Sequence, residues 1–241
     1  MIDIQNVRFA YNGRAVLAEI SARIPRGECM ALLGANGSGK STLLMLLTGL
    51  YAPHQGLVRV GELYNPGQER SLRRFVGLLM QDADLQILGA TVREDLELSA
   101  GVEKKGQEEA WDLGGRFGLQ DAWETPVHHL SGGQKRKLCL AGMLLRQPRV
   151  LLYDEPFSGL DYPGILELRS LLQANASQGI TQVVATHDLE PLIGVATGCL
   201  VLHQGRLVYC GALPQVMDDL AGYNVRPPCS WQREKRLLDW A

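Results

Sequence analysis

The sequence lacks paired cysteines, long apolar runs and an excess of basic residues. Its five cysteines are scattered without a Cys-x-x-Cys pair, which argues against a disulfide framework and a zinc site and favours reduced, mostly buried thiols. The sequence contains no run of about 18 apolar residues, so we predict no transmembrane helix, and the first residues do not resemble a signal peptide. The net charge of −2 lacks the basic excess that phosphate-backbone binding requires, so nucleic acid is not an expected partner.

The composition is that of an ordinary globular protein. Apolar residues make up 46% of the chain and charged residues 21%, which argues against long disordered segments. The 241 residues exceed an average domain, yet they are few enough for one core with an attached lobe. The sequence contains no internal repeat, low-complexity tract or flexible linker. We therefore expect one compact chain.

The clearest motif is a glycine loop between a predicted strand and a predicted helix. Gly34 is followed, after four residues, by Gly39, Lys40 and Ser41, which is the spacing of a P-loop. The glycines allow backbone N–H groups to converge on phosphate oxygens at the start of the following helix. A glycine turn before an amphipathic helix is the competing interpretation, and the complete motif disfavours it. The residues expected to contact nucleotide here are Asn36, Gly37, Ser38, Gly39, Lys40, Ser41 and Thr42.

Strand and helix patterns alternate along the rest of the chain. Strands are predicted at 2–9, 15–24, 56–61, 74–80, 149–153, 182–186, 198–203 and 206–209, and helices at 165–174 and 213–220. Between 88 and 145 the pattern is helical, with a long helix from about Ser131 to Leu145. We predict an α/β fold with a largely parallel core sheet, an antiparallel β subdomain and an inserted helical subdomain. The predicted domain covers 1–221, with the helical subdomain at about 88–145 and a short C-terminal tail at 222–241.

Two further patterns suit phosphate chemistry. Ser131, Gly132 and Gly133 offer a hydroxyl and two unhindered N–H groups at the start of the long helix, although a simple capped turn has the same pattern. Asp154 and Glu155 follow a buried strand, at the sheet edge where α/β proteins bind ligands. Neither pattern alone identifies a function.

Together these motifs resemble the ATP-binding-cassette (ABC) ATPase family along nearly the whole chain, to about residue 220. The matching segments are the P-loop, Leu-Ser-Gly-Gly-Gln at 130–134 (the signature segment), Asp-Glu at 154–155, Ser-Gly-Leu-Asp at 158–161 and the histidine at 187. The resemblance implies that Tyr11 stacks on adenine, that Lys40 binds phosphate, and that Mg²⁺ is held by Ser41, Gln81 and Asp154. It also implies that Glu155 activates water and that His187 contacts the γ-phosphate. The residues implied to act across a dimer are Ser131, Gly132, Gly133, Gln134 and Asp161. Hydrolysis of a phosphoanhydride needs charge neutralisation and an aligned water, and this residue set supplies both.

The resemblance also implies partners and cofactors. In this family the P-loop of one copy faces the signature segment of another, so ATP and Mg²⁺ are expected to lie within a head-to-tail dimer with a second copy or a related ATPase subunit. Tyr153 departs from the aliphatic residue usual before the Mg²⁺-directed acid. We expect that change to affect packing more than chemistry.

A finer resemblance concerns residues 81–88, which are similar to a loop of energy-coupling-factor (ECF) ATPases, typically Gln-Asn-Pro-Asp/Glu-x-Gln-Leu-Phe. Gln81 and Gln86 match this pattern, while the residues at 82, 83 and 88 depart from it. The tract at 133–142, in which Ala-Gly follows a basic turn of the helix, also resembles this subclass. We predict that the loop couples the ATP site to a membrane partner, with Gln86 at the surface, where its side chain hydrogen-bonds a short cytoplasmic helix of the partner; a polar loop residue is the competing interpretation of Gln86.

The ECF resemblance implies a peripheral subunit at the cytoplasmic face of the inner membrane, attached through a transmembrane T component and a substrate-binding S component. Such ATPases energise uptake of cobalt, nickel or vitamins such as biotin, and nothing in the sequence identifies the substrate. The alternatives are another ABC importer or exporter subunit, or a non-transport ABC protein acting in DNA repair, translation or iron–sulfur assembly. Tandem cassettes, coiled coils and a basic surface are missing, which disfavours most of the non-transport group. The second phosphate pattern disfavours a simple P-loop kinase.

Overall fold

The computed structural model describes residues 1–101 and 104–239; residues 102 and 103 of the predicted helical subdomain and residues 240 and 241 of the predicted tail lie outside the described residues. The strands are β1 (Ile2–Tyr11), β2 (Arg14–Ile24), β3 (Cys29–Leu33), β4 (Gln55–Val60), β5 (Leu63–Asn65), β6 (Val76–Leu79), β7 (Val150–Asp154), β8 (Thr181–Thr186), β9 (Gly198–His203) and β10 (Arg206–Gly211). The helices are α1 (Lys40–Leu47), α2 (Glu69–Phe75), α3 (Val92–Ala100), α4 (Lys104–Arg116), α5 (Gly132–Leu145), α6 (Tyr162–Ser177) and α7 (Cys229–Glu234).

A six-stranded sheet forms the centre of the molecule, in the order β10-β9-β3-β8-β7-β6. All neighbouring strands are parallel except the β9–β10 hairpin. In β3, Ala31 and Leu33 face one apolar cluster while Met30 and Leu32 face another, because successive side chains point to opposite faces of a strand. The sheet is therefore buried on both faces, as expected for parallel strands that read as continuous apolar runs.

A second, four-stranded sheet is antiparallel throughout and has the order β2-β1-β4-β5. Its inner side chains, including Ile4, Ile20 and Val58, share one apolar cluster with helix α1 and one face of the core sheet. This packing holds β1, with Tyr11 at its end, beside the helix that follows the P-loop.

The helices α3, α4 and α5 follow β6 in the chain and precede β7, where the sequence predicts a helical insertion. They share an apolar cluster of their own that includes Val92, Leu96, Leu119 and Leu138. The long helix predicted from about residue 131 to 145 is confirmed as α5. These helices form a lobe with a small separate core.

Two segments differ from the sequence prediction. The strand predicted from residue 74 starts at Val76, because the preceding residues form helix α2. The helix predicted over 213–220 is instead two short 3₁₀ turns, Leu213–Gln215 and Leu220–Tyr223. The apolar spacing that predicts this helix is real, since Leu213, Val216, Met217 and Leu220 are all buried, but two separate turns bury the same side chains.

The described part of the C-terminal segment packs against the domain. Val225 is buried, Arg226 forms a parallel bridge with Asp188, and the Trp231 indole donates to Asp218 over 2.9 Å. Farther on, Asp239 Oδ1 lies 2.5 Å from a guanidinium nitrogen of Arg169. The segment therefore contacts residues close to His187.

No helix among the described residues is both long and apolar enough to cross a membrane. The cysteines carry free thiols, and those of Cys29, Cys139 and Cys199 are buried while those of Cys210 and Cys229 are exposed. All five thiols are therefore unpaired, as expected, and three of the five are buried.

Candidate functional site

The glycine loop connects buried strand β3 to helix α1. A Cβ on Gly34 would lie 2.4 Å from the Leu202 carbonyl oxygen, and Gly39 has a φ of 105°, so only glycine fits either position without strain. Within the part of the chain that the structure describes, the N-terminus of α1 has no side-chain cap, and its first turn carries no acidic residue. The first N–H groups of the helix are thus available to an anion, which the helix dipole also favours.

The Lys40 side chain is buried within this loop. Its Nζ donates to the Gly34 carbonyl over 2.8 Å and lies 3.2 Å from Glu155 Oε1. The other carboxylate oxygen of Glu155, Oε2, lies 2.9 Å from His187 Nδ1. One carboxylate therefore joins the loop lysine to the histidine, although the three residues are far apart in the sequence.

Asp154 ends strand β7 beside this group. Its Oδ1 is buried and, within the described residues, accepts no hydrogen bond. Burial raises the pKa of Asp154, while the neighbouring Ser41 hydroxyl acts in the opposite direction. An orphaned carboxylate oxygen next to a hydroxyl is a hard oxygen pair of the kind that Mg²⁺ prefers, so these residues fit that ion.

Glu155 is held in an unusual backbone conformation. Its φ is 47°, in the left-handed region that non-glycine residues rarely adopt, and its N–H donates to the Ala185 carbonyl over 2.9 Å. This backbone turns the side chain from the end of β7 towards Lys40 and His187. Strain of this kind clusters at functional sites.

Tyr11 belongs to an aromatic group at the edge of the loop. Its ring meets those of Phe9 and Tyr51 edge-on, with centroids 4.9 and 5.5 Å away, and it is 40% exposed. The hydroxyls of Thr42 and Tyr51 lie beside the Tyr11 hydroxyl, and burial raises the pKa of Tyr11. The ring thus retains an open surface next to the P-loop helix, as stacking on a base requires.

The signature segment lies at the start of α5. Ser131 Oγ accepts from the Gln134 N–H over 3.2 Å, and Gln134 Oε1 accepts from the Ser131 N–H over 2.9 Å, which is a complete capping box. Ser131, Gly132 and Gly133 are exposed. Among the described residues no hydrogen bond or ion pair joins this segment to the P-loop of the same chain. The first turn of α5 therefore faces outward.

Asp161 and Gln81 are both exposed. The Asp161 side chain caps α6 by accepting from the Gly164 N–H over 3.0 Å. The Gln81 backbone carbonyl accepts from Arg136 over 3.3 Å, and the same guanidinium donates to the Glu155 carbonyl. Gln81 therefore lies close to the acidic end of β7. Within the P-loop, Asn36 and Gly37 are exposed, whereas Ser38 and Thr42 are buried.

The prediction that the Gln86 side chain reaches out to a partner is wrong in its geometry. Gln86 Oε1 accepts from the Met80 N–H over 3.0 Å, and its Nε2 donates to the Leu78 carbonyl over 2.9 Å. A long polar side chain in a loop is free to fold back onto the end of the preceding strand, where unpaired backbone groups attract it. Gln86 therefore shapes the loop from within.

Sequence reasoning assigned no role to Arg136 or Tyr51. Arg136 belongs to the basic turn of α5, and Tyr51 follows the P-loop helix; charge and aromaticity at these positions were the only available signals. Their importance comes from contacts with residues distant in the chain, which no local pattern contains.

Comparison with known proteins agrees with this geometry. A family model described as ABC transporter matches residues 17–158. The cobalt import ATP-binding protein CbiO of Rhodobacter capsulatus is 38% identical over 226 residues, covering 90% of this chain and 81% of that protein. The energy-coupling factor transporter ATP-binding protein EcfA of Methanocaldococcus jannaschii is 35% identical over 231 residues, covering 91% and 82%. The structure of cbiO1 from Clostridium perfringens, part of the cbiONQ ABC transporter complex, superposes with a TM-score of 0.78 at 30% identity and covers 98% of this chain and 96% of that one.

Proposed function

The chain belongs to the ABC transporter family of ATPases, and on that premise we propose that it energises ECF-type uptake of a metal ion, cobalt or nickel, or of a vitamin such as biotin. The proposal follows the names of its relatives, which are cobalt import and energy-coupling factor ATP-binding proteins. The observation that supports the activity most directly is the Glu155 carboxylate, with Lys40 on one oxygen and His187 on the other, next to the unpartnered oxygen of Asp154.

The roles proposed for these residues follow from the chemistry of phosphoanhydride hydrolysis. Lys40 leaves its contact with Glu155 to hold phosphate, and the freed carboxylate orients the attacking water, with His187 placed to contact the γ-phosphate. Ser41, Asp154 and Gln81 would hold Mg²⁺, which supplies charge neutralisation on the phosphates when bound. The N–H groups of the loop at 36–42 bind the phosphates, and Tyr11 stacks on the base.

We propose that two copies, or one copy and a related subunit, associate head to tail. The exposed signature segment, the preorganised cap at Ser131 and the exposed Asp161 support this arrangement, since they leave groups suited to phosphate on the outer surface. Mixing Lys40→Ala subunits with Ser131→Arg subunits tests it. Each isolated heterodimer is expected to bind one ATP, because one composite site carries both changes and the other carries neither. Two bound ATP molecules, or none, would contradict it.

The membrane partner is proposed to dock beside the loop at 81–88, with the T component on the cytoplasmic face of the inner membrane. Three leucines there are unusually exposed: Leu85 by 68%, Leu88 by 83% and Leu98 by 62%. Leu88 and Leu98 line a groove of about 330 Å³ between this loop and α5. A short amphipathic helix of the partner would bury these side chains, and the loop that carries Leu85 and Leu88 begins at Gln81 in the ATP site.

The docking proposal is tested with Leu88→Asp and Leu98→Asp. Each variant should bind ATP normally but fail to co-purify with the T component, because burying a carboxylate opposes docking. Leu50→Asp is the matched control, since Leu50 is 48% exposed and is not among the described residues that line the groove. Co-purification of both groove variants at wild-type yield would refute the proposal that the T component docks on this surface.

The function itself is tested by uptake into vesicles that contain the T and S components, with radiolabelled cobalt, nickel and biotin as separate probes. ATP-dependent uptake of one probe is expected, and the Glu155→Gln variant should abolish it. ATP hydrolysis that stays uncoupled from all three, together with stable binding to an iron–sulfur scaffold protein in place of the T component, would overturn the importer proposal.

A further inference from the structure

The basic turn of α5, which consists of Lys135, Arg136 and Lys137, has no part in the roles proposed above. Lys135 Nζ lies 2.6 Å from Asp84 Oδ1 and Lys137 Nζ lies 2.8 Å from Glu167 Oε2. Both are surface pairs with one well-exposed partner, and such pairs contribute little to stability. Arg136 differs from its neighbours, because it has no carboxylate partner among the hydrogen bonds and ion pairs of the described residues.

The Arg136 guanidinium donates to three backbone carbonyls. One terminal nitrogen donates to Glu155 O over 3.1 Å and also to Pro156 O, and the other donates to Gln81 O over 3.3 Å. These acceptors belong to the end of β7 and to the loop after β6. Burial lowers the pKa of Arg136, so the cation is partly desolvated and relies on these carbonyl dipoles. The guanidinium carries its donors on two terminal nitrogens fixed in one plane, so it holds the two segments at a set spacing, whereas an ammonium donates from a single nitrogen.

The Glu155 contact is informative because the backbone of that residue is strained. The left-handed φ of 47° persists only where surrounding contacts impose it. The Glu155 N–H is held by the Ala185 carbonyl and the Glu155 carbonyl by Arg136, so both sides of the residue are fixed. The direction of its carboxylate, towards Lys40 and His187, follows from that backbone.

We propose that Arg136 is a positioning residue that ties the catalytic backbone of its own chain to the signature helix. Ser131 and Arg136 are five residues apart, about 7.5 Å along a rigid helix, so a displacement of the signature end carries the guanidinium with it. In a head-to-tail dimer Ser131 faces the ATP of the opposite site. Arg136 therefore makes the geometry of Glu155 and Gln81 in one site depend on nucleotide in the other. This inference rests on the proposed dimer and on the proposed role of Glu155.

The first test distinguishes a positioning role of Arg136 from a role in ATP binding and from a role in folding. Arg136→Gln should lower kcat for ATP hydrolysis about tenfold to a hundredfold, the loss that a small misplacement of a reacting group produces, while KM changes less than about threefold. Arg136→Lys keeps the charge but not the fork and should recover only part of kcat. Lys137→Gln is the matched control, because it removes a charge from the same turn and should stay within about twofold of wild type. A wild-type kcat in both Arg136 variants would overturn the proposal.

The second test uses the heterodimer of Lys40→Ala and Ser131→Arg subunits, whose single working site combines the P-loop and Glu155 of the Ser131→Arg subunit with Ser131 of the Lys40→Ala subunit. Arg136→Gln is placed in one subunit at a time. The loss of kcat should be at least about tenfold larger when the change lies in the subunit that supplies Glu155. Equal losses, or a larger loss from the other subunit, would overturn the positioning role.

The parent heterodimer, without any change at Arg136, keeps the two proposals distinguishable. If it has two working sites or none, the head-to-tail arrangement fails before Arg136 is tested. If it has one working site and placement of the Arg136 change makes no difference, the dimer stands and only the positioning role fails.

Discussion

Replacing Glu155 by glutamine should tighten ATP binding and nearly abolish hydrolysis. The amide keeps the size of the carboxylate but removes its charge. The Glu155 side chain is only 8% exposed, and its Oε1 lies 3.2 Å from Lys40 Nζ. At an effective dielectric constant of about 20, that distance corresponds to about 5 kcal/mol of attraction before desolvation is subtracted. Desolvation of the two buried charges offsets much of this attraction, and we take about 1.5 to 3 kcal/mol as the net value, the range found for contacts of charged groups.

In the nucleotide-free chain this attraction holds Lys40 on Glu155, and it must be given up when Lys40 turns to phosphate. The neutral variant has no such competition, and it also lacks the repulsion between the carboxylate and the γ-phosphate. The Kd for ATP should therefore fall roughly tenfold to a hundredfold, since about 1.4 kcal/mol corresponds to a factor of ten. Loss of a general base lowers kcat by about 10² to 10⁴, or about 3 to 5 kcal/mol of barrier.

Three measurements check this prediction: titration calorimetry with Mg-ATP, light scattering for the size of the complex, and phosphate release. The variant should accumulate as an ATP-bound dimer. Glu62→Gln, at an exposed position, is the charge-matched control and should behave as wild type. An unchanged Kd would contradict the competition for Lys40, and near-normal phosphate release or a monomer in Mg-ATP would contradict the role of Glu155.

Three further predictions concern stability. Asp154→Asn should stabilise the nucleotide-free chain by about 0.5 to 2 kcal/mol at neutral pH and remove the stabilisation by Mg-ATP, both measured by thermal unfolding. Burial raises the pKa of Asp154 above its unfolded value, so the wild-type protein is destabilised by the buried carboxylate at neutral pH, and this destabilisation disappears as pH falls through the raised pKa. If the stabilisation by Asp154→Asn grew on acidification, burial of the charged carboxylate would not be its cause. Gln86→Ala should lower the free energy of unfolding by about 1 to 2 kcal/mol, because it removes two hydrogen bonds to the backbone, and should leave ATP affinity unchanged. An unfolding free energy equal to that of the wild type would show that these bonds do not contribute to stability. Asp239→Ala should lower the free energy of unfolding by about 1 kcal/mol, because it removes the partly exposed carboxylate that pairs with the buried Arg169 guanidinium. Identical denaturant midpoints for variant and wild type would contradict this contribution.

Local patterns predicted much of the fold. The alternation in β1 and β2 and the apolar runs of β3 and β7 located these strands, because side-chain period and burial are properties of a short segment. The same reasoning failed at residues 213–220, where two turns bury the side chains that a helix would bury. It also missed β5 and α2, which are too short to carry a clear period.

The sequence by itself determined the family, the P-loop and the order of the chemical motifs, since each motif is a short run whose residues act together. Only the tertiary structure decided that Glu155 lies between Lys40 and His187, that Gln86 folds back onto Leu78 and Met80, and that Arg136 reaches Gln81 and Glu155 together. These contacts join residues that are up to 115 positions apart where Lys40 meets Glu155. A long side chain can reach several acceptors at similar conformational cost. Which acceptor it binds depends on the strand ends that the sheet brings within about 3 Å of it, and no single segment of the sequence specifies that distance.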